Sequence, residues 1–262
     1  MPSQPQAAGI EGATQTGTRL MRNVPTNMAD RLILALDVTT VDEARALVTQ
    51  LSPAISYFKI GLGLLFAPGV DRLMDELISA GNRIFLDAKM YDIPETVGRG
   101  IAVAASRGVS LVTIHGDDAI MRAATAARGT SSLQIFAVTV LTSLDDAALA
   151  GMGTTLGARA LVEMRARQAA TLGCDGIIAS AHDNPNAIRT LAGNPNLLIA
   201  TPGVRQSTGD VNDHKRSATP REAIRNGADY LVVGRPIIKA ENPLATAHAF
   251  IEEMESALTA AH

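Results

Sequence analysis

Short runs of aliphatic and β-branched residues alternate with longer amphipathic stretches from Arg31 to the end of the chain. Short apolar runs bounded by turn signals are typical of buried strands, whereas apolar positions repeating every three or four residues indicate helices. The pattern predicts strands at residues 32–37, 57–61, 83–87, 111–115, 134–140, 176–179, 197–201 and 230–233. It predicts helices at residues 41–51, 64–80, 96–107, 117–128, 156–172, 185–192, 220–226 and 243–258.

Eight strands, each followed by a helix, predict an α/β fold, namely a single-domain (β/α)8 TIM barrel. A doubly wound open sheet is the alternative, but units of nearly even length favour closure into a barrel. The predicted barrel domain spans residues 29–262. Residues 1–28 are rich in Gln, Thr, Gly, Ser and Pro without an apolar period, so they predict a flexible N-terminal extension.

Composition restricts the possible partners and the compartment. The 262 residues carry a formal net charge of −3, which does not suggest a surface for nucleic acid or membrane. No apolar run approaches the roughly 18 residues of a transmembrane helix. Cys174 is the only cysteine, so no intramolecular disulfide can form, and this fits a reducing compartment. We therefore expect a cytoplasmic protein that binds neither nucleic acid nor membrane.

Polar residues gather at the predicted carboxyl ends of the strands, where TIM barrels place their active sites. A single polar residue at such an end is often structural, and a structural role is the interpretation we favour for His115. The clustering over seven of the eight predicted strands is harder to explain without a site. These strand-end residues are Asp37, Lys59, Asp87, Lys89, Asp92, His115, Thr142, Ser143, Arg205, Gly234 and Arg235.

The third strand ends in the pattern Asp87-x-Lys89-x-x-Asp92, and Pro94 then begins a helix. Side chains alternate along a strand, so Asp87 and Lys89 are predicted to share a face. A solvated charge cluster is the plain alternative, but these charges follow a strand of buried type. A lysine between two carboxylates stays protonated. Lys89 is therefore a candidate proton donor to a carbanion.

The last two strands are followed by features that suit a phosphate group. The loop from Arg205 to Ser217 is long and polar, Gly234 permits close backbone approach, and Arg235 can bind phosphate oxygens in a bidentate manner. An arginine after a glycine can also be an ordinary surface charge. A phosphorylated substrate explains the combination better, and the loop is long enough to close over it.

The sequence predicts neither a metal nor an organic cofactor. No phosphate-binding P-loop, zinc-binding spacing or dinucleotide fingerprint is present. Asp37, Asp87 and Asp92 would be suitable oxygen ligands for a divalent ion. Lys59 and Lys89 lie among them, however, and neutralise the carboxylates without a metal.

Six segments resemble the orotidine 5'-phosphate decarboxylase family. Residues 85–96, Phe-Leu-Asp-Ala-Lys-Met-Tyr-Asp-Ile-Pro-Glu-Thr, resemble the family's signature. The other segments follow in the family's order at residues 34–37, 58–61, 138–143, 201–205 and 233–237. The resemblance covers residues 31–260, essentially the whole predicted barrel, and the six segments together are highly specific.

The resemblance implies decarboxylation of orotidine 5'-phosphate to uridine 5'-phosphate (UMP) and CO₂ in de novo pyrimidine biosynthesis, without a cofactor. It also implies a homodimer with shared active sites. Lys89 would protonate C6 of the pyrimidine, and Asp87 would lie beside the substrate carboxylate. Asp92 and Thr96 would reach into the partner subunit's site.

The resemblance also assigns substrate-binding roles. Lys59 would complete an alternating chain of charges and, with Asp37, bind the ribose hydroxyls. The pair Thr142 and Ser143 would hold the edge of the pyrimidine. The loop from Arg205, together with Gly234 and Arg235, would bind the phosphate. The family commonly has glutamine where this chain has His214, which could replace it as a donor and add pH sensitivity.

Two alternatives to this function stay open at the level of sequence. A magnesium-dependent sugar-phosphate decarboxylase or aldolase of the same superfamily shares the Asp-x-Lys-x-x-Asp core. The segments Ile93-Pro94 and Thr142-Ser143 argue against it. A catalytically inactive barrel that only binds nucleotide or serves as a scaffold is the other alternative. The complete charged set argues against that, because an idle site has no reason to keep a lysine between two aspartates.

Overall fold

Eight parallel strands form a closed barrel in the computed structural model, which describes residues 24–206 and 218–259. Strands that follow each other in the sequence are neighbours in the sheet, and the first strand pairs with the eighth to close it. The strands are β1 (Leu32–Ala35), β2 (Tyr57–Gly61), β3 (Arg83–Met90), β4 (Leu111–His115), β5 (Gln134–Val138), β6 (Gly176–Ile178), β7 (Leu198–Pro202) and β8 (Tyr230–Val233). The predicted (β/α)8 TIM barrel is confirmed, and the open-sheet alternative is wrong.

Helices surround the barrel, and several begin at the signals that the sequence contains. The hydroxyl of Thr40 caps the first helix by accepting from the N–H of Glu43, and Thr219 and Glu222 form a capping box. Two 3-10 helices also occur, at Ala29–Arg31 and Ala181–Asp183. The α-helices are α1 (Val41–Leu51), α2 (Leu62–Leu65), α3 (Val70–Ser79), α4 (Pro94–Ser106), α5 (Asp118–Arg128), α6 (Asp146–Gly151), α7 (Ala158–Thr171), α8 (Pro185–Ala192), α9 (Pro220–Arg225), α10 (Arg235–Ile238) and α11 (Pro243–Thr259).

The structure departs from the predicted elements in three places. The helix predicted at residues 64–80 is two helices, because Pro68 lacks an N–H donor and Gly69 has φ +82°, which interrupts the helical hydrogen bonds. The third strand runs beyond Asp87 to Met90 through a bulge. The short helices α6 and α10 were not predicted, because too few residues form them for a period to be visible.

The inner and outer faces of the strands form two separate apolar layers. Along β1, Leu32 and Leu34 point outward against the helices, whereas Ile33 and Ala35 point into the barrel. The inner layer is largest toward the amino ends of the strands, where Tyr57, Phe85, Phe136 and Tyr230 fill the barrel. Two residues after these rings, at the next inward positions, β2 carries Lys59 and β3 carries Asp87. The barrel therefore has an apolar floor beneath a charged opening.

Of the predicted extension at residues 1–28, residues 1–23 lie outside the described residues. Val24 packs against the inner apolar layer, and Met28 is buried, so these two residues N-terminal to the predicted boundary belong to the packed region. Within residues 24–206 and 218–259, no helix combines the length and the apolar character that crossing a bilayer requires.

Candidate active site

A cavity of about 290 Å³ opens at the carboxyl ends of the strands. Its floor is the top of the inner apolar layer, including Phe85, Ile178 and Val232. The predicted site residues that line it are Asp37, Lys59, Asp87, Lys89, Thr142, Arg205, Gly234 and Arg235. The fold thus brings residues from six widely separated segments to one opening, as the clustering at strand ends predicted.

The remaining predicted residues lie elsewhere. Ser143 is exposed beside Thr142 but is not part of the cavity lining, and Asp92 and Thr96 lie beyond the lining on the loop and helix after β3. His214 falls outside the described residues. The backbone N–H of Arg205 donates to the carbonyl of Ala218 at 3.1 Å, so the described residues on the two sides of segment 207–217 meet at the cavity.

Four side chains at the opening alternate in charge. The Nζ of Lys59 lies 3.3 Å from Oδ1 of Asp37 and 3.3 Å from Oδ2 of Asp87. The Nζ of Lys89 lies 2.8 Å from Oδ1 of Asp87. The order is therefore Asp37, Lys59, Asp87, Lys89, with both oxygens of Asp87 engaged by ammonium groups. Each charge in this partly buried place therefore has an opposite charge beside it.

The carboxyl of Asp87 is the centre of this chain, and its side chain is only 12% exposed. Burial by itself favours the neutral acid, but the charges of Lys59 and Lys89 outweigh burial and hold the pKa of Asp87 below its usual value. Hydrogen bonds from Lys89 and from Thr113 act in the same direction. Asp87 is therefore a carboxylate at neutral pH.

Within this chain the lysine between two carboxylates is Lys59, which contacts Asp37 and Asp87. The sequence predicts a second such lysine, Lys89, between Asp87 and Asp92. Within the described residues Lys89 forms an ion pair with Asp87 and none with Asp92. Asp92 is exposed, and its Oδ1 accepts from the N–H of Ile93 at 2.6 Å. The reason is the turn after β3, which directs Asp92 away from the cavity of its own chain.

The pairing of Asp87 with Lys89 arises from a bulge instead of simple alternation. Residues 87–89 of β3 face one residue of β4, Thr113, because the ladder shifts register there. Lys89 has φ +44°, a left-handed conformation that residues other than glycine rarely adopt. Its N–H donates to the hydroxyl of Thr113 at 3.1 Å, and that hydroxyl donates to Oδ1 of Asp87 at 2.8 Å.

Thr113 is a residue that the sequence analysis missed. It is fully buried and occupies the inward position of β4 between Leu111 and His115. The available signal was a polar residue within an otherwise apolar strand. Its partners were not readable from the sequence, because they depend on the register between β3 and β4.

The glycine after β8 makes room for a carboxylate. A Cβ at Gly234 would lie 2.7 Å from Oδ2 of Asp37 and 3.3 Å from Cβ of Ala35. Any side chain at this position would push Asp37 away from Lys59. The short helix α10 starts at the next residue, Arg235, whose exposed side chain borders the cavity.

An aromatic contact covers the rim next to β4. The rings of Tyr91 and His115 are 4.7 Å apart between centroids. Burial, together with the charge of Arg165, lowers the pKa of His115 below its usual value. The guanidinium of Arg165 donates to the carbonyl oxygen of Thr139. His115 does not line the cavity, which agrees with a structural role for it.

The carboxylates of the opening are neutralised by ammonium groups. Across the described part of the chain, no group of three or more His, Cys, Asp or Glu side chains is placed to hold a metal ion. The groups available for chemistry are therefore a carboxylate and fixed ammonium groups above the apolar floor of the cavity. Arginines lie at its edge.

Comparison with known proteins gives one consistent family. The chain is 50% identical over 226 residues to the orotidine 5'-phosphate decarboxylase of Caulobacter vibrioides, covering 86% of this chain and 97% of that protein. It is 47% identical over 229 residues to the enzyme of the same name from Nitrobacter winogradskyi, covering 87% of this chain and 94% of that one.

The fold agrees with these sequence relatives. The crystal structure of orotidine 5'-phosphate decarboxylase from Lactobacillus acidophilus superposes with a TM-score of 0.75 at 29% identity, covering 86% of this chain and 99% of that one. A model of the Orotidine 5'-phosphate decarboxylase / HUMPS family matches residues 30–250. The chain therefore belongs to the orotidine 5'-phosphate decarboxylase / HUMPS family.

Proposed function

We propose that this chain decarboxylates orotidine 5'-phosphate to UMP and CO₂, as a carboxy-lyase of pyrimidine biosynthesis, without a metal or organic cofactor. The observation that carries the proposal is the alternating chain Asp37, Lys59, Asp87, Lys89 at the cavity. The names of the relatives point to the same reaction. None of the named relatives points to the magnesium-dependent sugar-phosphate alternative.

Lys89 is the proposed proton donor. When the bond between C6 and the carboxylate breaks, its electron pair stays on C6 and CO₂ leaves. A proton of the Lys89 ammonium then bonds to C6, giving UMP and a neutral amine that regains a proton from water. The ion pair with Asp87 and the bulge fix the ammonium before the reaction. A preorganised charge stabilises the developing carbanion without the reorganisation that water would need.

Asp87 has a second proposed role beside the substrate carboxylate. Two carboxylates in contact repel each other, and the departure of CO₂ relieves the repulsion. Because both lysines hold Asp87 ionised, the repulsion persists at neutral pH. We rank this contribution below that of the fixed Lys89 ammonium.

The ribose and the pyrimidine have their proposed partners around the same opening. Asp37 and Lys59 would bind the ribose hydroxyls, since they form the outer end of the charge chain. Thr142, from the loop after β5, would hold the pyrimidine edge together with the neighbouring Ser143. The apolar floor keeps water from the ring and strengthens the electrostatic interactions above it.

Phosphate is the proposed ligand of the side opposite Lys89. Arg205 and Arg235 border the cavity there, and Gly234 lets the chain turn close to the ligand. His214, in the loop that begins at Arg205, is the proposed replacement for a glutamine donor. The binding energy of the phosphate is remote from C6, so it can orient the ring for reaction.

The proposed enzyme is a homodimer in which Asp92 and Thr96 enter the partner subunit's site. The supporting observation is their position on the exposed rim after β3, away from their own cavity. Large apolar side chains are exposed on the same end of the barrel. These are Leu62 and Phe66 after β2, Tyr91 and Ile93 after β3, and Met152 after β5. A dimer interface would bury them.

Residues 29–262 are proposed as the decarboxylase barrel and residues 1–28 as an extension to it, of which Val24 and Met28 pack against the barrel. The reaction belongs to de novo pyrimidine synthesis, so a cytoplasmic location is proposed as well. Neither nucleic acid nor membrane is a proposed partner, in keeping with the net charge of −3.

The test is the loss of orotidine 5'-phosphate absorbance with purified protein, with and without a metal chelator. Equal turnover in both arms is the expected result. Turnover that appears only with added magnesium would point to the sugar-phosphate branch and make Asp37, Asp87 and Asp92 candidate metal or sugar ligands. No turnover in either arm would remove the proposed function.

A further inference from the structure

We propose that Thr113 is a positioning residue for the Asp87–Lys89 pair, holding the carboxylate of one and the backbone of the other. The inference rests on the proposed decarboxylation, since it concerns the groups assigned to that chemistry. Thr113 lies on β4 and does not line the cavity, so it acts through its two neighbours and not on the substrate.

The hydrogen bonds of Thr113 fix the direction of its hydroxyl proton. A hydroxyl has one proton to donate and two lone pairs that accept. The N–H of Lys89 occupies a lone pair at 3.1 Å, and Oδ1 of Asp87 is 2.8 Å away on the donor side. Asp87 is an ionised acceptor, so the proton points toward it. The side chain is fully buried, so bulk solvent does not reach the hydroxyl.

The bulge in β3 depends on the same hydroxyl. Residues 87–89 face Thr113 alone, so the backbone N–H of Lys89 bonds to a side chain where a regular ladder would offer a carbonyl. Lys89 also keeps φ +44°, a sparsely populated conformation that persists only when its surroundings hold it. The hydroxyl of Thr113 is one of the groups that hold it.

One oxygen connects this support to the chemistry. Oδ1 of Asp87 accepts from the Thr113 hydroxyl at 2.8 Å and from Nζ of Lys89 at 2.8 Å. The hydroxyl therefore fixes the oxygen, and the oxygen fixes the ammonium that donates the proton. The other groups facing Asp87 are Lys59 from β2 and, through Lys59, Asp37.

The experiment compares wild type with Thr113→Val, which keeps the shape of the side chain and removes the hydroxyl, and with Thr113→Ser, which keeps the hydroxyl. In Thr113→Val we expect kcat to fall about ten- to a hundredfold, the usual effect of losing a hydrogen bond to a charged group. The affinity for UMP, measured by calorimetry, should stay within about twofold because Thr113 does not reach the ligand.

The pH profile separates positioning from general loosening of the barrel. Asp87 loses a donor to its charged form, so its pKa rises and the acid limb of kcat/KM should move to higher pH in Thr113→Val. Thr113→Ser should recover most of kcat and return the acid limb to its wild-type position.

Thr139→Val is the matched control. Thr139 is also fully buried, but its hydroxyl donates to the carbonyl of Ile178 at 2.9 Å, an uncharged partner. We expect it to lose stability without moving the acid limb. If the thermal midpoint shows that Thr113→Val does not fold, Thr113→Ala takes its place. We expect the same results from Thr113→Ala as from Thr113→Val.

Three results would overturn the inference in a wild-type enzyme that turns over. These are a valine variant with wild-type kcat, an acid limb that moves equally in Thr139→Val, and a parallel fall in UMP affinity. Absence of turnover in wild type would instead remove the proposed function, so the two failures are distinguishable.

Discussion

The barrel holds buried charges at both ends of its strands, and the two networks differ in what they leave available. At the amino end of β8, Arg189 pairs with Asp229, and the two side chains are 6% and 2% exposed. At the carboxyl ends, Lys59, Asp87 and Lys89 form a chain beside the cavity. The first network is enclosed, whereas the second faces the cavity.

The enclosed network is saturated by backbone groups. Arg189, from α8, donates to the carbonyls of Leu197 and Gly227 as well as to Asp229. Asp229 accepts from the N–H of Ile199. The ion pair therefore fastens α8 to the start of β7 and β8. Breaking one member would leave a charge buried without its partner, so this network matters for stability.

The network at the cavity includes a lysine whose ammonium has more N–H donors than it has carboxylate partners. The ammonium of Lys89 has three donors, and within the described residues its carboxylate partner is Asp87 alone. Its backbone is also strained, with φ +44°. Strain and unsaturated donors beside a cavity serve reactivity at the expense of stability. The comparison predicts that substitutions at the two ends affect different measurements.

Lys89→Ala should have the largest effect, and chiefly on catalysis. The variant loses a proton donor, about 10²- to 10⁴-fold in rate, and also a preorganised charge, about 10²- to 10³-fold, so turnover should fall at least about ten-thousandfold. UMP binding, measured by calorimetry, should persist because the phosphate site is untouched. Full activity in this variant would contradict the mechanism.

Arg189→Met should lower stability and leave catalysis unchanged. Removing one partner of a buried pair destabilises a protein by about 3–5 kcal/mol, and urea unfolding should show this as a lower midpoint with an unchanged slope. Activity per folded molecule should stay at the wild-type value. The control is Arg159→Ala, which breaks an ion pair with Glu163 whose arginine is 90% exposed, and it should change stability by less than about 1 kcal/mol. Equal losses in both variants would contradict the proposed role of the enclosed network.

Local sequence signals predicted the repeating units of the barrel but not the details of the bulge. The strand at residues 57–61 and the helix at residues 185–192 were predicted with their observed bounds, because periodicity and proline signals act within a few residues. The break at Pro68 and Gly69 also has a local cause, but the prediction of one helix over residues 64–80 did not take it into account.

Contacts between residues far apart in the sequence were not predicted. The sequence could not place Thr113 against Asp87, because their contact depends on the register between β3 and β4. For the same reason the two carboxylates beside Lys59, Asp37 and Asp87, could not be identified from local spacing. Residue types at strand ends could therefore be predicted, whereas the partners of each side chain required the folded barrel.

Arg235→Ala should produce an intermediate effect and sharpen the difference between binding and stability. A charge-assisted contact to phosphate contributes enough to raise KM for orotidine 5'-phosphate about ten- to a hundredfold when it is lost. Slow turnover of the phosphate-free nucleoside should be unchanged. Lys239→Ala is the control, because Lys239 is an exposed cation four positions further on that does not line the cavity. An unchanged KM in Arg235→Ala would mean that the phosphate binds elsewhere.

The smallest expected effect is a pH dependence of stability that originates in the network at the cavity. Burial disfavours the charge of Asp87, but Lys59 and Lys89 hold its folded-state pKa below the ordinary value of 3.8. A carboxyl with a depressed pKa contributes stability above its ordinary pKa, and the contribution disappears as pH falls through the lower folded value. Asp87→Asn has no such group, so its free energy of unfolding should depend less on pH in the acid range.

Urea unfolding of wild type and Asp87→Asn at about pH 5.5 and at about pH 3 measures this dependence. The difference in unfolding free energy, wild type minus variant, should become smaller or more negative at the lower pH. The sign follows because only wild type takes up a proton at position 87 when it unfolds below pH 3.8. A difference that stays constant, or that grows as the solution becomes more acidic, would mean that the two lysines do not stabilise the charged form of Asp87.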